Sequence, residues 1–460
     1  MNIKQASLVL GSVGITNVFL NPVYLQSKEG VKSSFLNDIY QALRAVGTST
    51  DEWYLGLFNG NSKYDDLREL HNRFSRSHSS YEIISKKEVL LTCSLSEVRL
   101  SSLKSSFTQE EKKLVKEIPS LLDHMYRDGV LYIFENGNAV VLSTIHLLDS
   151  YDTKAYESIC KLFHKYFSVA YKDIVLGHIG RLQQAYKMYS HKYEKPFADK
   201  YITDDSVNQL CLQKSFQYAI YNHFFDLGSN DDCHCFEQLF KSSEDTTSLK
   251  YIETHDAKIS LGYTHASFVK LNSNQDLTAF VNTYKIPLLM VLANWAAIKA
   301  LSINLEHIGQ IYRLRGENKY NFFGLKNERN AINLYLLALK SISASLEGYN
   351  ASNHPIYSNI IENYRLTFQE ERNVKRLNQQ IDILTSLSNE IDRQRTVQAE
   401  FILNSSIILL TALSIFSTVE LFFKINLDYD LVIRQAIITI SLIFATLLFA
   451  FNLMFHKFKI

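Results

Sequence analysis

The sequence predicts an α+β cytoplasmic domain with a large helical part, followed by a long stalk helix and two C-terminal transmembrane α-helices. β-forming segments gather in the first 150 residues, long stretches with few Gly or Pro follow, and two uncharged apolar segments come last. A chain of 460 residues exceeds one ordinary compact domain, so we expect several parts. The parts are a mixed α/β domain (1–150), a mainly helical region (151–355), a stalk or coiled-coil helix (356–400), a first span (401–423), an external loop (424–434), a second span (435–455) and a basic tail (456–460).

The net charge and the cysteine content bear on the class of protein. Lys and Arg number 48 and Asp and Glu number 47, whereas a nucleic-acid-binding protein usually has a basic excess. We therefore expect no nucleic-acid partner. The five Cys are odd in number and scattered, which argues for a reducing compartment. Residues 6–20 are broken by polar residues, so we predict no signal peptide and a cytoplasmic location for the folded part.

Two segments near the C-terminus predict membrane spans. Residues 401–419 and 435–455 carry no charge, and a helix needs about 20 apolar residues to cross a hydrocarbon core. The loop 424–434 is so short that the two helices would form an antiparallel hairpin. Basic residues on the outer flanks then place both termini on the cytoplasmic side of an inner or plasma membrane. The alternative is a pair of buried core helices in a soluble protein.

The stretch 363–400 has neither Gly nor Pro and carries an apolar stripe of coiled-coil type. Two interpretations stay open for this stripe. It packs either against copies of itself, as the stalk of a homo-oligomer, or on its own domain. The stripe consists of Val374, Leu377, Ile381, Leu384, Leu387 and Ile391.

Local signals predict the elements that precede the stalk. An Asn-Gly pair at 136–137 lies between two β-forming runs, so the sequence predicts a tight hairpin over 130–142. The other predicted elements are strands at 53–58 and 88–93 and helices at 107–124, 156–193 and 277–314.

The sequence carries no catalytic motif that we can assign. It has no phosphate-binding loop, no dinucleotide-binding fingerprint, no zinc-protease motif and no nucleophile elbow, so we predict neither an enzyme nor a cofactor. Residues 231–235 read Asp-Asp-Cys-His-Cys, but a zinc site usually needs a second ligand pair. We interpret this segment as an acidic loop and assign no metal ligand.

Two basic groups are candidates for binding an anionic ligand. One is Arg181 and Lys187 on a predicted helix, and the other is Arg313 and Arg315 in an aromatic-rich stretch. The alternative for each is a solvated helix face.

Polar residues share one face of the first predicted span. Asn404, Thr411, Ser414 and Thr418 fall within an arc of about 80° at 100° per residue. They are candidates to line a pore in an oligomer. The alternative is hydrogen bonding between helices, or hydroxyls that bond to their own backbone.

The order of these parts resembles the CorA-type metal-ion transporter superfamily. The resemblance implies a pentamer whose first spans line a pore and whose stalk couples it to a cytoplasmic domain. In that family a Gly-Met-Asn tripeptide follows the first span, whereas this sequence reads Lys-Ile-Asn at 424–426. Asn426, Asp428 and Asp430 are therefore the candidates for a selectivity loop. A divergent branch without the tripeptide occurs beside type III CRISPR systems, where it acts in antiviral defence.

Three functional hypotheses follow. The first is a homo-oligomeric, CorA-like membrane channel gated at its cytoplasmic domain by a nucleotide messenger or a cation. The second is a divalent-cation transporter of the magnesium type with a variant loop. The third is a non-conducting, membrane-anchored scaffold.

Overall fold

In the computed structural model, the described residues form a large β-sheet with helices on both faces, and a very long helix near the C-terminus. The sheet takes strands from the first 150 residues and also from the region 219–270. The described residues are 2–15, 38–43, 45, 53–55, 89–134, 138–193, 219–227, 250–262, 265–271, 276–317, 340, 355–367, 369–425 and 439–440.

The strands are β1 (Asn2–Ile3), β2 (Gln5–Ile15), β3 (Trp53–Leu55), β4 (Val89–Ser94), β5 (Val98–Arg99), β6 (Met125–Phe134), β7 (Asn138–Leu147), β8 (Tyr151–Asp152), β9 (Ala219–Asp226), β10 (Lys250–Glu253), β11 (Ala257–Leu261) and β12 (His265–Lys270). Across the large sheet the order is β10-β11-β12-β9-β2-β7-β6-β4-β3, with β5 beside β6, while β1 pairs with β8. Neighbouring strands are antiparallel except β9 and β12, which are parallel.

Strand β2 lies at the centre of the sheet, between β7 and β9. Its alternate side chains enter two different cores: Leu8 and Leu10 belong to one, and Val9 and Val13 to the other. Because both faces are covered, β2 carries apolar residues on both faces rather than polar residues along one of them.

The helices are α1 (Gln109–Glu117), α2 (Thr153–Tyr193), α3 (Leu277–Glu317), α4 (Pro355–Thr367) and α5 (Glu370–Ile425). Helix α2 contributes to the first core, together with Leu8 and Leu10. Helices α3 and α4 contribute to the second core, together with Val9 and Val13. The sheet is therefore the middle of three layers.

Several local predictions are confirmed. Strands β6 and β7 pair antiparallel, as predicted for the hairpin over 130–142, although residues 135–137 lie outside the described residues. The two long helices predicted over 156–193 and 277–314 correspond to α2 and α3. Within the region predicted to be mainly helical, four strands, β9 to β12, complete the sheet that the N-terminal strands begin.

The chain divides into two compact units, Met1–Asp382 and Ile383–Ile460, and the boundary between them lies inside α5. In the first unit, α5 follows α4 closely. Gln369 between the two helices has a positive φ of 49°, and Arg365 Nε lies 3.2 Å from Glu370 Oε1. The Glu370 side chain is only 4% exposed, so this buried ion pair fixes the start of α5 against the end of α4.

The prediction of two transmembrane helices is wrong. Among the described residues, no helix is long and apolar enough to cross a membrane. The multi-pass membrane localisation and the ion channel that depended on these spans are corrected by the same finding. Residues 401–418 carry no charge, but they contain Asn404 and six Ser or Thr residues, which make the segment less apolar. Residues 435–455 lie outside the described residues except for Thr439 and Ile440.

Candidate functional site

The predicted pore-lining residues all lie on α5, and all four side chains are exposed in the single chain. The Thr411 hydroxyl donates to the Ile407 carbonyl oxygen at 2.7 Å, and the Thr418 hydroxyl donates to the Ser414 carbonyl oxygen at 2.8 Å. These two hydroxyls are satisfied by their own backbone, which is the alternative that the sequence left open. They need no water-filled lumen as a hydrogen-bond partner.

The other predicted site residues lie on α2, on α3 and outside the described residues. Arg181 is exposed on α2, and Lys187 lies three residues before the last turn of the described part of the same helix. Arg313 and Arg315 belong to α3. Only Arg181 among these four has a described side chain. The three selectivity-loop candidates, Asn426, Asp428 and Asp430, lie outside the described residues.

The apolar stripe on α5 is buried at its start and becomes exposed further along the helix. Its first four members are buried within the single chain. Three of them, Val374, Leu377 and Ile381, lie in the first unit, which agrees with packing on its own domain for that part. Leu387 is 45% exposed, and exposed apolar side chains continue beyond it. The buried members are Val374, Leu377, Ile381 and Leu384.

A cluster of three histidines lies between α2 and the strands β9 and β12. On α2, Tyr156, Cys160 and His164 are spaced four residues apart and so share one face of the helix. His223 of β9 faces this helix, and so does His265 of β12. The two strands are parallel neighbours in register, and alternate residues of such strands point to the same face of the sheet.

The three imidazole rings are mutual neighbours. The ring centroids of His164 and His223 are 5.4 Å apart, those of His164 and His265 are 5.6 Å apart, and those of His223 and His265 are 6.1 Å apart. The His164 ring stacks on Tyr221, with centroids 3.7 Å apart and planes inclined by 17°. Tyr221 and His265 are half-buried, so the cluster reaches the surface of the protein on that side.

Hydrogen bonding orients the most buried of the three rings. His223 Nδ1 lies 2.9 Å from Tyr156 Oη and 3.8 Å from Cys160 Sγ. These contacts hold the Nδ1 edge of the ring against α2. His164 Nε2 is inaccessible to solvent and has no hydrogen-bond partner in the described part of the chain. A buried nitrogen without a partner costs free energy unless something else satisfies it.

The charge state of the cluster follows from its burial. Burial, with a smaller contribution from repulsion by His265, lowers the pKa of His164 to about 3. Burial also holds the pKa of His223 well below its usual range, with contributions from His164 and His265. The pKa of the Cys160 thiol is raised by burial to about 12. At neutral pH the His164 and His223 imidazoles are therefore uncharged, and the Cys160 thiol is protonated.

Comparison with known proteins does not identify this chain: no family model, no curated protein sequence and no solved structure matches it. The function must therefore be inferred from the geometry of the described residues.

A second buried contact joins a cysteine to a histidine but offers no reactive group. Cys93 Sγ on β4 lies 3.4 Å from His178 Nδ1 on α2, and the edge of Trp53 packs on His178. Cys93 is completely buried, so a substrate cannot reach its sulfur without opening the core. This contact ties β4 to α2.

The sequence alone does not predict the histidine cluster. His164, His223 and His265 are far apart in sequence and belong to no short motif, so they meet only through the pairing of β9 with β12 and the packing of α2 on these strands. The available signals were the four-residue spacing of Tyr156, Cys160 and His164, and the alternation of β9. Both patterns are also common in an ordinary apolar core.

Proposed function

We propose that this chain is a self-associating scaffold, in which α5 joins copies of the chain and the folded α+β unit carries a ligand site. The observation that carries the proposal is the exposure of the apolar side chains on α5 beyond residue 400. Among the side chains that the structure describes in this segment, five are at least half exposed in the single chain. They are Ile402, Leu403, Ile407, Leu410 and Ile415.

So many exposed apolar side chains indicate that another protein surface covers them. A helix that is apolar on most sides is normally buried, and contiguous exposed apolar patches mark sites of association. A second copy of the chain is the simplest partner, because Leu403, Ile407 and Leu410 are spaced four and three residues apart, as in a coiled-coil seam that packs against an identical helix. The homo-oligomer expected from the sequence is retained in this proposal, and the pentamer implied by the CorA resemblance stays a prediction.

The free energy expected from burying these apolar side chains is consistent with reversible association. Complete burial of a Leu or Ile side chain is worth roughly 1.5–3 kcal/mol, so covering the exposed half of each contributes about 1 kcal/mol. Five such side chains from each of two copies give about 10 kcal/mol, within the estimated cost of about 4–15 kcal/mol for joining two molecules. Self-association through this segment alone is therefore marginal, and further copies or contacts would strengthen it.

The buried pair Arg365–Glu370 gives the scaffold a fixed attachment point. Burial raises the pKa of Glu370, and the neighbouring guanidinium of Arg365 partly offsets this effect. The pair holds α4 and the first turn of α5 together within the folded unit. The start of α5 is thus anchored to the unit that carries the histidine cluster.

The test is the mass of the purified full-length chain. We expect sedimentation velocity to show a concentration-dependent multiple of 53.0 kDa. The double variant Leu403→Glu, Leu410→Glu should shift the particle toward a single chain, because each charge would have to be desolvated in the interface.

A matched control is Leu366→Glu on α4, since Leu366 is 54% exposed but lies outside the proposed interface. This variant should keep the mass of the parent. A parent chain that sediments as a single copy at every concentration would refute the proposal, and so would an oligomer unchanged by the double variant.

A further inference from the structure

A polar cluster that the proposed self-association does not use lies on the α3 side of the sheet, around His146 of β7. Ser7 of β2 is the in-register partner of His146, and His146 Nδ1 lies 2.9 Å from the Ser7 hydroxyl oxygen. On the other side of β7, Arg127 of β6 pairs with Thr144, so its side chain leaves the sheet on the same face as His146. Helix α3 packs on β2 and β7 and brings Lys285 near His146. Three nitrogen-bearing side chains from three elements therefore lie near one another on this face.

The Ser7 hydroxyl determines which nitrogen of His146 carries the hydrogen. Ser7 is completely buried, and His146 Nδ1 is the hydrogen-bond partner of its hydroxyl among the described residues. If Nδ1 carried the hydrogen, the Ser7 hydroxyl hydrogen would be buried without an acceptor, which costs free energy. The hydroxyl therefore donates to Nδ1, and the hydrogen of the neutral ring is on Nε2. Since Ser7 lies on the buried side of the half-buried ring, this N–H lies on the opposite, exposed side.

The charged side chains near His146 give its ring a net positive environment. Burial lowers the pKa of His146, so the ring is neutral at pH 7. Lys285 and Arg127 contribute in the same direction, whereas Asp128 and Asp276 raise that pKa. The effect of Lys285 exceeds that of Asp128, and the effect of Arg127 exceeds that of Asp276. An anion beside the ring would therefore meet more attraction than repulsion.

A β-bulge in β6 fixes the backbone that carries Arg127. Between the paired residues Arg127 and Val130, strand β6 has two residues where β7 has only Ser143. The first of the two, Asp128, has a positive φ of 49°. The Ser143 hydroxyl donates to the Arg127 carbonyl oxygen at 2.9 Å and so holds the bulge in place. Bulges and residues with positive φ are common beside binding sites, where they redirect a side chain.

We propose that the Nε2–H of His146 and the side chains of Arg127 and Lys285 bind the phosphate group of a small ligand. All three groups are hydrogen-bond donors, and a guanidinium matches the oxygen geometry of a phosphate. Arg127 is exposed, so a ligand reaches its guanidinium from solvent. The inference rests on the ligand site of the proposed function, and it does not depend on self-association through α5.

Isothermal titration calorimetry of the full-length chain tests the site at pH 7 and constant ionic strength, with inorganic phosphate and, separately, with adenosine monophosphate. We expect one molecule of at least one probe to bind per chain. Binding of inorganic phosphate would identify free phosphate as a sufficient ligand, and binding of the monophosphate alone would identify a phosphate ester. Arg127→Gln and Lys285→Gln should each weaken binding by about 10-fold or more, because each removes a charge-assisted hydrogen bond.

Asp128→Asn separates an electrostatic role from a structural one. Asn tolerates a positive φ as Asp does, so the bulge should persist while one negative charge disappears. Binding should therefore become tighter, by up to about 5-fold. The matched control is Arg181→Gln, because Arg181 is exposed on α2, which covers the opposite face of the sheet. This variant should bind the probes as the parent does.

The variants at Arg127 and Asp128 change exposed side chains, and far-UV circular dichroism verifies that they fold. Failure of the parent to bind either probe would overturn the proposal. Unchanged affinity in Arg127→Gln would also overturn it, and so would an affinity that does not rise in Asp128→Asn. None of these results would bear on self-association, which sedimentation of the same protein measures.

Discussion

The buried histidines should make the folded chain less stable in acid. His164 has a pKa of about 3 in the folded chain, against 6.5 for an ordinary histidine. Above pH 6.5 the ring is neutral in both the folded and the unfolded states, so it has no effect on the pH dependence. Below pH 6.5 only the unfolded state takes up the proton, and the free energy of unfolding therefore falls as the pH falls. This loss stops near pH 3, where the folded state also becomes protonated.

The stability that His164 costs at pH 5 follows from how far this pH lies below the pKa of the unfolded state. The pH lies 1.5 units below the pKa of the unfolded state, and each unit is worth about 1.4 kcal/mol, so His164 alone should destabilise the fold by about 2 kcal/mol. The pKa of His223 is also lowered, so His223 adds to the loss in the same direction.

Urea unfolding of the parent and of His164→Phe, at pH 7.5 and pH 5.0 with a chelator present, measures this contribution. Phenylalanine keeps the stack on Tyr221 but cannot be protonated. We expect the loss of stability between the two pH values to be about 2 kcal/mol smaller in His164→Phe than in the parent. The exposed His255→Gln should behave as the parent does. Equal losses in the parent and in His164→Phe would refute the assignment of a buried, neutral His164.

Three further substitutions test the packing of the folded unit, each by thermal or urea unfolding. Tyr364→Phe removes the hydroxyl that donates to Asn222 Oδ1 at 2.8 Å, and the buried acceptor left behind should cost about 1–3 kcal/mol. Gly11→Ala puts a Cβ atom 2.5 Å from Leu292 Cδ1, so overpacking between β2 and α3 should cost about 1–3 kcal/mol, and an unchanged midpoint would contradict this contact. Thr108→Ala removes the N-cap of α1 and should cost about 1 kcal/mol, whereas Thr108→Ser should retain most of the stability.

The sequence predicted those elements whose signals are local. The Asn-Gly pair predicted a hairpin, and the strands β6 and β7 before and after it pair antiparallel. Long stretches with few Gly or Pro form α2 and α3. Pro287 lies inside α3 without ending it, because the flanking apolar residues bury that helix in the core. Strands β10 to β12 are short, and they join the sheet through β9. Local patterns do not encode that pairing.

The errors arose where the sequence pattern has more than one structural outcome. An apolar stripe at Leu377 and Ile381 fits a coiled coil and also a helix packed on its own domain, and the structure buries both side chains within the chain. Uncharged residues beyond 400 fit a membrane span and also an exposed surface that binds another protein. The histidine cluster could not be predicted because its members meet only through tertiary packing.

The central claim is that α5 joins copies of the chain, and the distance between the same residue in two copies tests it most directly. A spin label at the exposed Ser406, introduced as Ser406→Cys with Cys211, Cys233 and Cys235 replaced by Ser, reports this distance by pulsed electron resonance. Packed helices have axes 8–10 Å apart, so two labels on α5 should lie within about 25 Å of each other. A label at the exposed Lys113 of α1 provides the comparison. We expect a narrow distribution of short distances for the α5 label, which Leu403→Glu, Leu410→Glu should abolish. The absence of any distance between copies at Ser406 would contradict the account.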